Sequence, residues 1–244
     1  MQIVIDGLLT NYQVLGEAKE VLLILPGWRR SITEWTPIAQ NLAAKYKVVL
    51  LDLPGFDLTA LPKSIFGVCE YASFVKKFLE KLRINKCVIL GHSFGGRVAI
   101  VLASEGQIVT KLVLVDSAGI EKKSLYVKLA NALKIIAFPI ISALPNSIKN
   151  KISNSVGSTD YKTSGEMRKI FVKIVNQDLR KLLPRIKIPT FIIWGDKDDV
   201  LSVSQTKIFK QEIKGAKVRI VWGAGHDPHL QRMEQFLTIL KEIL

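Results

Sequence analysis

One stretch limits what this chain can fold into. Cys87-Val88-Ile89-Leu90 is an apolar run that reads as a buried strand, Gly91-His92-Ser93-Phe94-Gly95 makes a sharp turn, and Gly96 to about Ser104 reads as a helix. A G-x-S-x-G pattern gains chemical meaning in this setting, because the turn between strand and helix lifts the Ser93 hydroxyl above a sheet. Gly91 and Gly95 are required if a side chain there would strike the neighbouring strand or helix. The Phe94 N–H opens the helix, where unpaired donors and the dipole favour an oxyanion. Read without its flanks, the same pattern is a glycine-rich turn with a capping serine.

The rest of the chain supplies strands and helices in alternation. Gln2–Ile5 and Thr10–Leu15 read as a hairpin around Asp6-Gly7. Val21–Leu25 and Val48–Leu51 are continuous apolar runs, the mark of strands buried on both faces. Helical spacing covers Glu34 to about Lys45 and Tyr71 to Leu82. Further strands follow at Lys111–Asp116, Ile188–Trp194 and Lys217–Trp222, and a last helix runs from Leu230 to Leu244. Such alternation builds a parallel sheet with helices on both faces. Between Ala118 and Pro184 it fails, and helical stretches follow one another at Leu125–Ala137, Ser147–Lys151 and Ser164–Gln177, with a loop at Gly157–Tyr161.

Gly91-His92-Ser93-Phe94-Gly95-Gly96 resembles the nucleophile elbow of the α/β-hydrolase superfamily, in its serine esterase-like branch with a helical cap. The resemblance covers both ends of the chain and leaves the cap without a specific match. It implies a mostly parallel sheet of about eight strands flanked by helices. Residues 1–117 and 185–244 form the core, and a cap of residues 118–184 is inserted after the sixth strand. Pro26-Gly27-Trp28 stands where relatives have His-Gly, which maps the second oxyanion-hole N–H onto Trp28 beside that of Phe94. Asp52-Leu53-Pro54-Gly55-Phe56 resembles the family's Asp-x-Pro-Gly turn, and Asp52 is read as structural, capping its loop.

Spacing does not choose the triad acid among Asp196, Asp198 and Asp199. The likeness of Trp194-Gly195-Asp196-Lys197-Asp198 to the family's Trp-Gly-x-x-Asp segment places it on Asp198, with Asp199 and Asp116 as alternatives. Gly223-Ala224-Gly225-His226 resembles the family's Gly-x-Gly-His loop and gives the base. His92 points away from the serine and packs in the elbow; His229 caps or supports the last helix. Gln231-Arg232-Met233 departs from the Glu-x-Pro that relatives often carry there. The triad is then Ser93, Asp198 and His226, in the family's order.

The resemblance implies a carboxylic ester hydrolase working through an acyl-enzyme, with lactonase, thioesterase, carbon–carbon bond hydrolase and non-catalytic ligand-binding protein as alternatives. An oily cap suits an acyl group of small to medium size, contacted by Trp28, Phe138 and Ile141. No metal or organic cofactor is expected, since the sequence has neither a histidine/carboxylate cluster at metal spacing nor a phosphate loop. With 35 Lys and Arg against 21 Asp and Glu, the chain carries a net charge of +14. The lysines are scattered and match no nucleic-acid motif. The charge also suits an acidic acyl-carrier protein bearing the acyl chain, as an alternative to a free small-molecule ester. The longest oily stretch, Ile135–Ile141, is too short to span a bilayer. Cys69 and Cys87 are too few for a disulfide framework. Together with the lack of a signal-peptide pattern, this leads us to expect a cytoplasmic protein, monomeric or homodimeric.

Overall fold

The computed structural model describes residues 1–106, 108–120 and 165–244. The apolar runs explain its architecture. In β3 (Val21–Leu25) every residue is buried. Leu22 and Ile24 enter one core cluster, while Leu23 and Leu25 enter another. The same split divides Val48 and Leu50 from Val49 and Leu51 in β4 (Lys47–Leu51). Because successive strand residues face opposite sides, an unbroken apolar run signals a sheet covered on both faces.

The sheet has eight strands in the order β1-β2-β4-β3-β5-β6-β7-β8. The remaining strands are β1 (Gln2–Ile5), β2 (Leu8–Leu15), β5 (Cys87–His92), β6 (Val109–Val115), β7 (Thr190–Gly195) and β8 (Lys217–Val221). β1 and β2 form the antiparallel hairpin, and β2 joins β4 antiparallel. All pairings from β4 across to β8 are parallel. One face is covered by α1 (Thr36–Leu42) and the C-terminal helix (Met233–Ile243), through Ile38, Leu42, Phe236 and Leu240. The other carries α2 (Val68–Lys81) and α3 (Phe94–Ser104), joined by Ile170, Phe171 and Ile174 of α4 (Arg168–Val175).

This is the α/β-hydrolase fold the sequence implied. Three helices differ from expectation; the one expected over Ser164–Gln177 is a 3-10 turn, Gly165–Met167, followed by α4, which ends at Val175. The helix expected over Glu34–Lys45 is a 3-10 turn, Ile32–Trp35, followed by α1, which ends at Leu42. The expected single helix from Leu230 is two segments, Pro228–Gln231 and Met233–Ile243, broken at Arg232 (φ −141°, ψ 52°). At the break the Gln231 side chain turns back and accepts the Gly225 N–H. The expected helices Leu125–Ala137 and Ser147–Lys151 and the loop Gly157–Tyr161 lie outside the described residues. No helix among the described residues is long and apolar enough to cross a membrane.

Parallel strands end on one edge, so the segments leaving β3, β5, β6, β7 and β8 meet there. Two glycines allow the close approach at β5. A Cβ on Gly91 would sit 2.5 Å from the Gly95 carbonyl oxygen, and one on Gly95 would collide with the backbone carbonyl of Leu25. Neither obstacle can rotate away. Gly95→Ala is expected to cost about 3 kcal/mol of stability, read as a lower urea midpoint; an unchanged midpoint would refute the packing argument.

Candidate active site

Ser93 sits at φ 50°, ψ −110°, in the left-handed region that a non-glycine residue occupies only under constraint. Its N–H donates to the Val115 carbonyl, and its own carbonyl accepts from Gly96 and Ala118 N–H. These bonds hold the turn while the hydroxyl projects from the sheet edge. The Ser93 Oγ lies 2.9 Å from His226 Nε2, and His226 Nδ1 lies 2.9 Å from Asp198 Oδ2. With Asp198 ionised, Nδ1 carries the proton and donates it, which leaves the Nε2 lone pair to accept from the Ser93 hydroxyl.

The Asp198 side chain is wholly buried. Its Oδ1 accepts the N–H groups of Val200 at 2.9 Å and Leu201 at 2.8 Å. Burial alone would raise its pKa; the hydrogen bond and charge of His226, with the Leu201 N–H, hold it below the usual value instead. The other candidate acids occupy different places. Asp196 accepts the Gly223 N–H at 2.5 Å and ties the β7 end to the histidine loop. Asp199 is exposed. Asp116 is buried beside Asp198 and makes no hydrogen bond to His226. Asp52 accepts from the Ile32 N–H at 3.0 Å and the Asn11 amide at 2.6 Å, bracing the loop after β3.

The cavity at Ser93 has a volume of about 210 Å³ and is lined by Trp28, Arg30, Val200, His226 and Asp227, among others. Trp28 lines it, while its indole packs edge-on against Phe56 and Phe94, with ring centroids 5.3 and 5.4 Å away. Phe171 of α4 closes on the same indole at 5.1 Å. Phe94 opens α3, so its N–H lies in the helix's first turn beside Ser93. Phe138 and Ile141 lie outside the described residues. Cys87 is buried, and burial pushes its thiol pKa up to about 12; Cys69 is exposed.

A polar cluster around His92 adjoins the cavity at Ser93. His92, buried, bonds through Nε2 to the His226 carbonyl at 2.8 Å. Because a carbonyl only accepts, Nε2 carries the proton. His229 stacks on Trp35, with centroids 3.9 Å apart, and neither of its ring nitrogens has a hydrogen-bond partner. Ligand atoms of His92, Asp227 and His229 lie within 4.8 Å of one another, as do those of Asp116, Asp198 and His226. The sequence holds no histidine/carboxylate cluster at linear metal spacing, and it is the fold that brings these two groups together. The residues come from distant parts of the chain, so linear spacing hid them. In the first group the Arg30 guanidinium stands 2.5 Å from Asp227 and already neutralises it, which opposes a cation. In the second group Asp198 and His226 are engaged with each other and with Ser93. Sequence reading also missed that His92 anchors the base loop. The linear sequence carries no signal for that bond, since His92 and His226 are 134 residues apart.

Burial pushes the imidazoles of His92 and His229 down, to about 4 and about 2. In the unfolded chain both titrate near pH 6.5, so below that pH the unfolded state binds more protons than the folded one. Their contribution to stability is complete above pH 6.5 and is lost as pH falls toward the folded values. His229→Phe keeps a ring on Trp35 and removes one of these titrations. Its urea-derived stability is expected to fall less steeply between pH 6.5 and 5, by up to about 1.4 kcal/mol per pH unit; identical slopes in variant and parent would contradict this.

Comparison with known proteins extends the likeness. A family model described as alpha/beta hydrolase fold matches residues 20–162. The mouse (Mus musculus) monoacylglycerol lipase ABHD6 is 26% identical over 254 residues, covering 93% of this chain and 75% of that protein. Among solved structures, a membrane phospholipase A described as a bacterial virulence factor superposes with a TM-score of 0.80 at 25% identity, over 100% of this chain and 84% of that one. A meta-cleavage product hydrolase from Pseudomonas fluorescens shares the fold, with a TM-score of 0.75 at 21% identity, over 100% of this chain and 96% of its own.

Proposed function

The chain is a hydrolase belonging to the alpha/beta hydrolase fold family, and from that premise we propose that it cleaves carboxylic esters with Ser93 as nucleophile. The observation that carries this reading is the hydrogen-bonded chain from Ser93 Oγ to His226 Nε2 and from His226 Nδ1 to Asp198, each contact 2.9 Å.

A free hydroxyl is too weak an acid to attack an ester unaided. As Ser93 Oγ bonds to the carbonyl carbon, His226 Nε2 takes its proton, and Asp198 stabilises the imidazolium in the required orientation. The N–H groups of Phe94 and Trp28 receive the charge that develops on the carbonyl oxygen, an effect worth about 3–4 kcal/mol for one donor. Collapse breaks the bond to the alcohol oxygen, which leaves with the proton from His226. Water, deprotonated by the same imidazole, then cleaves the acyl-enzyme and restores the Ser93 hydroxyl.

Trp28 and Val200 give the cavity its apolar lining, and Phe56, Phe94 and Phe171 pack behind the Trp28 indole, which supports an apolar acyl chain on that side. The names of two similar proteins, a monoacylglycerol lipase and a phospholipase A, agree with an ester of a fatty acid. Phe138 and Ile141 are proposed to contact that acyl chain. A fluorophosphonate probe tests the reading directly. The expected result is a single adduct on the peptide containing Ser93, formed more slowly when an excess of p-nitrophenyl ester of matched chain length is present during labelling. Folded protein that stays unlabelled would favour a ligand-binding role without catalysis.

A further inference from the structure

Asp116 takes no part in the chemistry above, yet it is the most deeply enclosed carboxyl group near it. It leaves the end of β6 at φ 40° with no exposed surface. Its N–H donates to the Ile193 carbonyl at 3.0 Å, and its Oδ1 accepts the Gly195 N–H at 2.9 Å, so it bridges the ends of β6 and β7. Its Oδ2 is buried and receives no N–H or O–H donor. A carboxylate oxygen of Asp116, one of Asp198 and a ring nitrogen of His226 all lie within 4.8 Å of one another.

Two carboxylates this close in a dry site cannot both be ionised, so one holds a proton. The donors decide which. Asp198 receives three N–H groups, from Val200, Leu201 and His226, whereas Asp116 receives one, from Gly195. The better-solvated anion is Asp198. We propose that Asp116 is a positioning residue, a neutral carboxyl group whose Oδ2 proton is donated to Asp198 and extends the Ser93–His226–Asp198 chain by one link. The inference rests on the serine-hydrolase reading and deepens it. Burial pushes the Asp116 carboxyl up to about 10, and the Asp198 and Asp227 charges that face it act in the same direction. With this proton in place, Asp198 is held in the orientation that meets His226 Nδ1.

The test uses the full chain, p-nitrophenyl butyrate as substrate, and thermal unfolding as a check on folding. Asparagine tolerates positive φ and keeps both functions of a neutral Asp116, an acceptor for Gly195 and a donor for Asp198. Asp116→Asn is therefore expected to retain kcat within about threefold, with the acid limb of kcat/KM unmoved. Asp116→Ala is expected to lose about tenfold in kcat, and its acid limb should rise, because Asp198 without its fourth donor protonates more readily. An Asn variant whose acid limb moves down would mean that a negative charge had been removed, and overturns the proposal. So does an Asn variant as impaired as the Ala variant at unchanged Tm, or an Ala variant with unchanged kinetics. If the Ala variant does not fold, the Asn variant and Asp198→Ala decide: an active Asp198→Ala protein would make Asp116 the acid itself. Ser93→Ala, run in parallel, separates the two readings, since activity surviving in that variant defeats the nucleophile assignment whatever Asp116 does.

Discussion

Ser93→Ala is expected to lower kcat on p-nitrophenyl butyrate by at least ~10⁴-fold. The variant keeps the fold, because the turn is held by backbone bonds from Ser93 to Val115, Gly96 and Ala118 rather than by the hydroxyl. The same φ of 50° must still be adopted, so thermal stability should change little while activity disappears. What remains is the hydrolysis that the oxyanion donors and substrate binding support without a nucleophile. A variant with parental activity would remove Ser93 from the reaction. A variant with no activity and a collapsed Tm would show that the hydroxyl has a structural role the hydrogen bonds do not reveal.

Asp198→Asn is expected to cost about 10³–10⁴-fold in kcat, through the imidazole rather than through the fold. At present Asp198 Oδ2 accepts from His226 Nδ1, which leaves Nε2 free of a proton to receive one from Ser93. An asparagine amide that turns its NH₂ to Nδ1 reverses this, placing the proton on Nε2, where it blocks the base. The remaining oxygen can still accept from Val200 and Leu201, so the β7 loop should keep its shape. Steady-state kinetics with a crystal structure of the variant would check both halves. A loss below tenfold would mean that Asp198 does not set the tautomer.

The sheet was legible because burial on both faces writes itself as unbroken apolar runs. Leu22, Leu23, Ile24 and Leu25 could belong to little else, and five parallel strands announced themselves in this way. Ser93, Asp198 and His226 could be singled out because each follows a strand at the same edge, in a segment that resembles a motif of the family. Less was legible where side chains act across the fold. The break at Arg232 depends on Gln231 reaching the Gly225 N–H, a tertiary contact invisible to helical periodicity. The cluster of His92, Asp227 and His229 escaped notice because β5 and the segment after β8 meet only in three dimensions. Spacing left Asp196, Asp198 and Asp199 equivalent; what separates them is whether each carboxylate turns toward His226, toward Gly223 or toward solvent.

His92 and Ser93 are consecutive, and each holds His226, one through its carbonyl and the other through its ring. Nucleophile and base therefore share one mechanical frame, the end of a single central strand, and small displacements of that strand carry both together. Ala118, just past the end of β6, joins the same frame by donating its N–H to the Ser93 carbonyl. A backbone change at the tip of β5 would therefore shift both groups at once rather than alter the distance between them.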